Sequence, residues 1–234
     1  MSTNVSSQPA SGQPQKVAVV LSGCGVYDGS EIHESVLVML RLSQRGIAYQ
    51  CVAPNVKQMH VINHLSGEEM PETRNVLVES ARIARGSVLD IATANPEDYA
   101  AVIFPGGFGA AKNLCDFAVK GAQMTLNPDV AKFARAIQTA GKPVGLICIS
   151  PTMAPLLFGE GTQCTIGTDA ATADAIRAMG GEHKDCNVFQ FVVDQEKNVI
   201  STPAYMLAGS IAEACDGISK LVDALVDRLA KISS

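Results

Sequence analysis

Residues Lys142-Pro143-Val144-Gly145-Leu146-Ile147-Cys148-Ile149-Ser150-Pro151-Thr152 read as a buried strand that runs into one cysteine and turns at once into a helix. Val144, Leu146 and Ile147, with the small Gly145 among them, suit a central strand. Ser150 and Pro151 are residue types that cap and open helices. Cys148 therefore stands at the crossing point, where a thiol facing the positive end of a helix is shifted toward its reactive thiolate form. The ordinary role of a cysteine ending a core strand is that of a small buried hydrophobe. With 7 Cys in the chain, position must single out Cys148.

Working outward, Ala101-Val102-Ile103-Phe104 is a second apolar strand, ending in Pro105-Gly106-Gly107-Phe108-Gly109. Near the start, Val17 to Leu21 is a β-branched run of the kind found inside parallel sheets. It is followed by the loop Ser22-Gly23-Cys24-Gly25-Val26-Tyr27-Asp28-Gly29 and a helix predicted over 30–45, closed by Gly46. Asp28 and Glu31 have capping-box spacing for that helix. Ile47 to Ala53 completes a βαβ unit. Pro54 to Gly86 reads as an insertion, with a hairpin or loop near 61–68 and a helix over 72–85. Further strands are expected at 88–91, 164–166, 189–193 and 198–202. Helices are expected over 133–140, shortly after Cys148, and over 171–179 and 209–232. Strands alternating with helices define an α/β fold with an open, mostly parallel sheet covered on both faces, whose ligands bind at the carboxyl ends of the strands.

A chain of 234 residues, 47% hydrophobic, has enough to bury one domain core. Residues 1–15 are rich in Ser, Gln, Pro and Gly and read as a disordered tail, leaving 16–234 as the folded domain. No run approaches the ~20 apolar residues of a membrane span, and no signal peptide opens the chain, so a cytoplasmic protein without membrane contact is expected. The cysteines are scattered without C-x-x-C spacing, which argues for reduced thiols and against a structural metal site. A net charge of −5 with dispersed Lys and Arg leaves no basic patch for nucleic acid.

Three strands thus end in unusual residues: Leu21 before the Gly23/Gly25 loop, Phe104 before Gly106-Gly107, and Ile147 before Cys148. In a parallel sheet their ends share one edge. The amides of Gly107 and Ile149 would form an oxyanion hole beside Cys148. Glu34, in the first turns of the helix after the first strand, ordinarily complements the helix dipole. Buried, it would instead hold a proton, donate it to the Cys148 sulfur and shuttle it during a reaction. Glu31 and His33 flank it, and helical geometry turns the three to different faces, so one of them aims at Cys148. His183 reads as part of a surface turn, while His60 and His64 fall in the insertion.

The elbow around Cys148, the segment Phe104-Pro105-Gly106-Gly107-Phe108-Gly109 and a glutamate in the first helix together resemble the PfpI/ThiJ, class I glutamine-amidotransferase-like superfamily. The segments 22–34, 62–68, 73–86 and 202–208 are similar to the ElbB family, known as enhancing-lycopene-biosynthesis proteins or isoprenoid-biosynthesis glyoxalases, and the likeness runs from Lys16 to about Ile232. The resemblance implies a flavodoxin-like three-layer sandwich with a nucleophile elbow. By position it makes Cys148 the nucleophile, Glu34 its hydrogen-bonding acid, and Gly107 and Ile149 the oxyanion-hole amides. Cys24, His64 and Arg74 become candidate site-lining residues. The pattern departs at two places: the elbow lacks G-x-C-x-G, and Cys164-Thr165-Ile166-Gly167-Thr168 stands where several relatives carry a histidine. A Cys148/Glu34 pair is therefore expected, not a triad.

The resemblance further implies a glyoxalase without metal or cofactor, converting small dicarbonyls such as glyoxal or methylglyoxal to the 2-hydroxy acid. A redox or metabolite sensor with a reactive Cys148 is the rival expectation, and an amidotransferase is disfavoured by the absent histidine. Homodimers are common in the superfamily.

Overall fold

The computed structural model describes residues 16–232, so the tail expected over 1–15 lies outside the described residues. In chain order the elements are β1 (Lys16–Val20), α1 (Ile32–Gln44), β2 (Tyr49–Ala53), α2 (Val76–Ile83), β3 (Val88–Asp90), β4 (Tyr99–Phe104) and α3 (Phe108–Lys112). They continue with α4 (Phe117–Lys120), α5 (Pro128–Thr139), β5 (Val144–Ile147), α6 (Ala154–Phe158), β6 (Gln163–Cys164), α7 (Ala170–Ala178), β7 (Glu182–His183), β8 (Val192–Asp194), β9 (Val199–Thr202) and α8 (Ile211–Ile232). Seven strands form one sheet in the order β3-β2-β1-β4-β5-β9-β8. Every pairing in it is parallel except that of β8 with β9. Short β6 and β7 form a separate parallel pair.

Side chains alternate across a strand, and here the alternation sorts the core into two layers. Ala18, Val20, Val102 and Phe104 pack with Val130, Phe133 and Ile137 of α5. Val17, Val19, Ala101 and Ile103 face the other way, onto Val38 and Leu42 of α1 and Ile218, Leu221 and Leu225 of α8. The result is the three-layer α/β sandwich expected from the apolar runs. Gly145 has a steric role in the second layer: a Cβ there would lie 3.0 Å from Leu221 Cδ2 and 3.2 Å from Ile103 Cγ1, so its absence lets α8 settle against β5. Arg41 of α1 and Arg45 at its C-cap reach Asp223 of α8 at 2.6 Å each. These half-exposed ion pairs fix the mutual register of the two helices more than they stabilise it.

Several local expectations are corrected. The N-cap of α1 is Glu31, whose carboxylate accepts from the Glu34 amide (2.7 Å). Asp28 instead accepts from the Ile62 amide (2.7 Å) and so ties residues 54–86 to the loop after β1. That stretch is the crossover joining β2 to the adjacent parallel β3, with α2 starting at the Asn75 cap. Ser150 caps nothing; its hydroxyl donates to the Pro105 carbonyl (2.8 Å), joining the two strand-end loops. His183 is no surface residue but a buried one, whose Nε2 accepts from the Ile166 amide (3.2 Å).

Leu221→Ala removes a fully buried side chain lying over Gly145 and Ile103. Denaturant unfolding should show a loss of about 2–5 kcal/mol. A change under about 1 kcal/mol would mean that α8 does not depend on this contact.

Candidate active site

The strand order reverses direction beside β1 and β4, where the chain leaves the sheet on opposite sides and opens a crevice at the carboxyl ends. With β5 next to β4, the three strand ends singled out in the sequence are neighbours. Cys148 leaves β5 with φ of 64°, a left-handed backbone that costs a non-glycine residue roughly 1–2 kcal/mol. Its own amide donates to the Thr202 carbonyl at the end of β9 (3.0 Å), which holds the strained elbow in place. Gly106 permits the next approach. A Cβ on it would sit 2.4 Å from Cys148 Cβ, 2.7 Å from Glu34 Oε2 and 2.9 Å from Cys148 Sγ. Nothing larger than glycine fits between the two side chains.

Glu34 is wholly buried. Its Oε2 accepts from the Gly106 amide (2.8 Å) and its Oε1 from the Tyr205 amide (3.2 Å), and its carboxyl lies beside the Cys148 thiol. Burial raises its pKa to about 7, the nearby Glu31 carboxylate adds to the rise, and the hydrogen bonds oppose it. The Cys148 thiol is also pushed up, first by burial and then by the Glu34 carboxylate, against the pull of the Gly107 and Ile149 amides beside its sulfur. The thiolate expected from the helix terminus is thus corrected. Only a short 3-10 turn and a five-residue helix follow the cysteine, and their positive end does not outweigh burial beside a carboxylate. Side by side in one buried site, the thiol keeps its proton more tightly than the carboxyl does.

Sγ opens onto a cavity of about 540 Å³ lined by Val26, Glu31, Gly107, Phe108, Ala111, Phe117, Ala118, Cys148, Ile149, Asp169, Thr172, Tyr205 and Met206. Glu34, Cys148, Gly107 and Ile149 are therefore brought together. Glu31 lines the same space, because it stands at the cap just before α1 and escapes the helical rule that separates its neighbours. His33 is not among the lining residues, but its Nδ1 lies 2.8 Å from the hydroxyl of Tyr205, which is. Cys24, His64 and Arg74 belong to other surroundings. Cys24 has Glu79 and Arg82 as electrostatic neighbours. His64 stacks on Tyr27 at 4.9 Å and accepts through Nε2 from the Tyr27 amide. Arg74 pairs with Glu72 (2.6 Å).

Sequence reasoning missed Tyr205, Asp169 and the two phenylalanines. For Tyr205 a signal existed in Thr202-Pro203-Ala204-Tyr205, where the turn after β9 puts Ala204 at φ 43° and aims the Tyr205 amide at Glu34. For Asp169 there was only the ordinary mark of a helix cap, since its carboxylate accepts from the Thr172 amide (2.8 Å). Among the described residues, no group of three or more His, Cys, Asp or Glu side chains is arranged to hold a metal ion, and no helix is long and apolar enough to cross a membrane.

A cysteine on a positive-φ elbow, pressed against a buried glutamate at the carboxyl edge of a parallel sheet, defines a class of α/β proteins with a nucleophile elbow. Comparison with known proteins narrows the class. The human protein named glutamine amidotransferase-like class 1 domain-containing protein 3, mitochondrial, is 44% identical over 226 residues, which cover 92% of this chain and 84% of that protein. The crystal structure of an Ehrlichia chaffeensis isoprenoid biosynthesis protein with an amidotransferase-like domain has a TM-score of 0.85 at 38% identity, covering 91% of this chain and 99% of its own. A glyoxalase III from Candida albicans shares the fold alone, with a TM-score of 0.57 at 13% identity over 90% of this chain and 97% of its own. No family model matches the chain. The chain belongs to the PfpI/ThiJ, class I glutamine-amidotransferase-like superfamily and, within it, to the ElbB family.

Raising the Glu34 pKa from 4.5 to about 7 means that the folded chain binds this proton more tightly than the unfolded chain does. That stabilisation is complete below about pH 4.5 and is lost as pH climbs through about 7. Glu34→Gln removes the titration while keeping an oxygen acceptor. Chemical unfolding from about pH 4.5 to about 8 should show the variant gaining on the native chain by on the order of 3 kcal/mol, because each tenfold difference in proton affinity between the folded and unfolded chain is worth ~1.4 kcal/mol. A stability difference independent of pH would show that Glu34 titrates normally.

Proposed function

We propose that the protein is a cofactor-independent glyoxalase that converts glyoxal or methylglyoxal to the corresponding 2-hydroxy acid at Cys148. The observation that carries this reading is the contact between Cys148 and a glutamate of pKa about 7, with two amides facing the sulfur at an open cavity. In the proposed reaction the Glu34 carboxylate takes the thiol proton as sulfur bonds to the aldehyde carbon. The Gly107 and Ile149 amides receive the carbonyl oxygen as it gains charge, and protonation gives a hemithioacetal. Glu34 then removes the hydrogen of that carbon, an enediol forms, and the proton returns to the neighbouring carbon to leave a thioester. Water entering from the cavity releases the hydroxy acid and restores the thiol, so the net change is dicarbonyl plus water to acid. A group of pKa about 7 suits both the abstraction and the return of the proton.

The rival roles fit less well. A thiol sensor works best with an exposed, low-pKa cysteine, whereas Cys148 is 8% exposed with its pKa pushed up. Amide hydrolysis needs a group to protonate a departing amine, and among the described residues no histidine is hydrogen-bonded to Cys148. His33 bonds to Tyr205, His64 to Tyr27, and His183 to Ile166. A link to isoprenoid synthesis is drawn from the name of the Ehrlichia protein. A cytosolic homodimer completes the proposal, although the human relative is named mitochondrial.

Assayed with methylglyoxal, Cys148→Ala should lose all measurable turnover, and Glu34→Gln should lower kcat by about 10²–10⁴. In the native chain kcat/KM should rise with pH through about 7 as the Glu34 carboxylate forms, and Glu34→Gln should lack that inflection. Undiminished turnover in Cys148→Ala would refute the assignment.

A further inference from the structure

The cavity beyond Cys148 is far larger than a three-carbon dicarbonyl needs. Its volume of about 540 Å³ lies in the range of sites that enclose drug-sized ligands. Its walls are apolar or aromatic over most of their extent: Val26, Phe108, Phe117, Ile149, Tyr205 and Met206. The carboxyl groups lining it are those of Glu31 and Asp169, and no Lys, Arg or His is among its lining residues. The basic side chains on the adjoining helices are already engaged, His33 of α1 through Nδ1 with the Tyr205 hydroxyl (2.8 Å). Lys112 lies 5.5 Å from the centre of the Phe108 ring and donates to the Tyr27 carbonyl (2.8 Å), and Lys120 pairs with Asp116 (2.6 Å). An anion entering this space would meet two carboxylates in a largely apolar surround, with the Glu34 carboxyl behind them and no cation to receive it. An uncharged aromatic or branched group would find aromatic and thioether surface to cover it.

From this we infer that the Cys148 site selects uncharged carbonyl compounds bearing an apolar or aromatic substituent, and turns away carboxylated and phosphorylated ones. The inference rests on the reading of Cys148 as the nucleophile and extends it to a substrate class. Aldehydes of this kind add reversibly to the thiol: sulfur bonds to the carbonyl carbon, the thiol proton passes to the carbonyl oxygen, and no co-reactant is required.

The selectivity can be measured without turnover. Labelling of Cys148 by iodoacetamide, followed residue by residue by mass spectrometry, is timed with benzaldehyde or 4-carboxybenzaldehyde present at low ionic strength. Benzaldehyde should protect Cys148, and the carboxylated analogue should need at least about a tenfold higher concentration for the same protection, an effect of like charges at close range in a poorly solvated site. In Asp169→Asn, which keeps an oxygen acceptor for the Thr172 amide, the gap should narrow. Equal protection by the two aldehydes, a gap unchanged in Asp169→Asn, or a Cys148 that neither labels nor is protected would each overturn the inference. Methylglyoxal turnover measured on the same preparation separates the two readings. Protection with its charge gap but without turnover removes the glyoxalase and keeps the selectivity; turnover without the gap does the reverse.

Discussion

Cys148 and Glu34 touch across a space that only a glycine can occupy, and much of the architecture at this edge of the sheet follows from keeping them there. A carboxyl and a thiol buried side by side are costly to charge, so the pair must be held by groups that cannot move away. Backbone supplies them. The Gly106 amide takes one carboxyl oxygen and the Tyr205 amide the other, while the Gly107 and Ile149 amides face the sulfur. Four of the contacts that define the site are therefore main-chain donors, fixed by strand ends and not by side-chain rotamers.

That reliance on backbone explains the strain near the site. Cys148 at φ 64° and Ala204 at φ 43° are two of the few non-glycine residues in the left-handed region, and they follow the neighbouring strands β5 and β9. Each unfavourable turn redirects an amide or a sulfur into the crevice. The strain persists because the Cys148 amide bonds to the Thr202 carbonyl, Ser150 bonds to Pro105, and α8 braces β5 through Leu221. Placement of four strand ends in the sheet order β1-β4-β5-β9 turns these local distortions into one site.

What was legible in the sequence followed the same division. The strands were legible because buried parallel strands are continuous apolar runs, and Gly145-to-Cys148 and Gly106-Gly107 stood out because their residue types are conspicuous at strand ends. Glu34 emerged from its place one turn into the first helix, although the capping role expected of Asp28 belonged to Glu31. The segments α3 and α4 were missed because helices of five and four residues carry too little periodicity to register. Tyr205 enters the site through the turn after β9, whose direction the residues Thr202-Pro203-Ala204 only hint at, and Asp169 through the docking of α7, a tertiary fact that its helix-cap role does not reveal. The thiolate expectation failed for a related reason. Helix-end arguments treat the terminus as if it stood in water, whereas here desolvation and a neighbouring carboxyl act on the same thiol.

The missing histidine also gains a physical meaning from this arrangement. A Cys-His pair in a buried site separates charge, holding thiolate against imidazolium, and needs a polar surround to keep both. The Cys148/Glu34 pair includes no cation, and two main-chain amides face each of its members. In the proposed reaction such a pair would move a proton over a short distance near neutral pH without creating a cation. Chemistry in which a proton leaves one carbon and returns to the next uses that property fully, whereas expulsion of an amine does not. No Lys, Arg or His lines the cavity either, so the proposed selectivity against anions and the proposed histidine-free chemistry at the sulfur have one electrostatic origin.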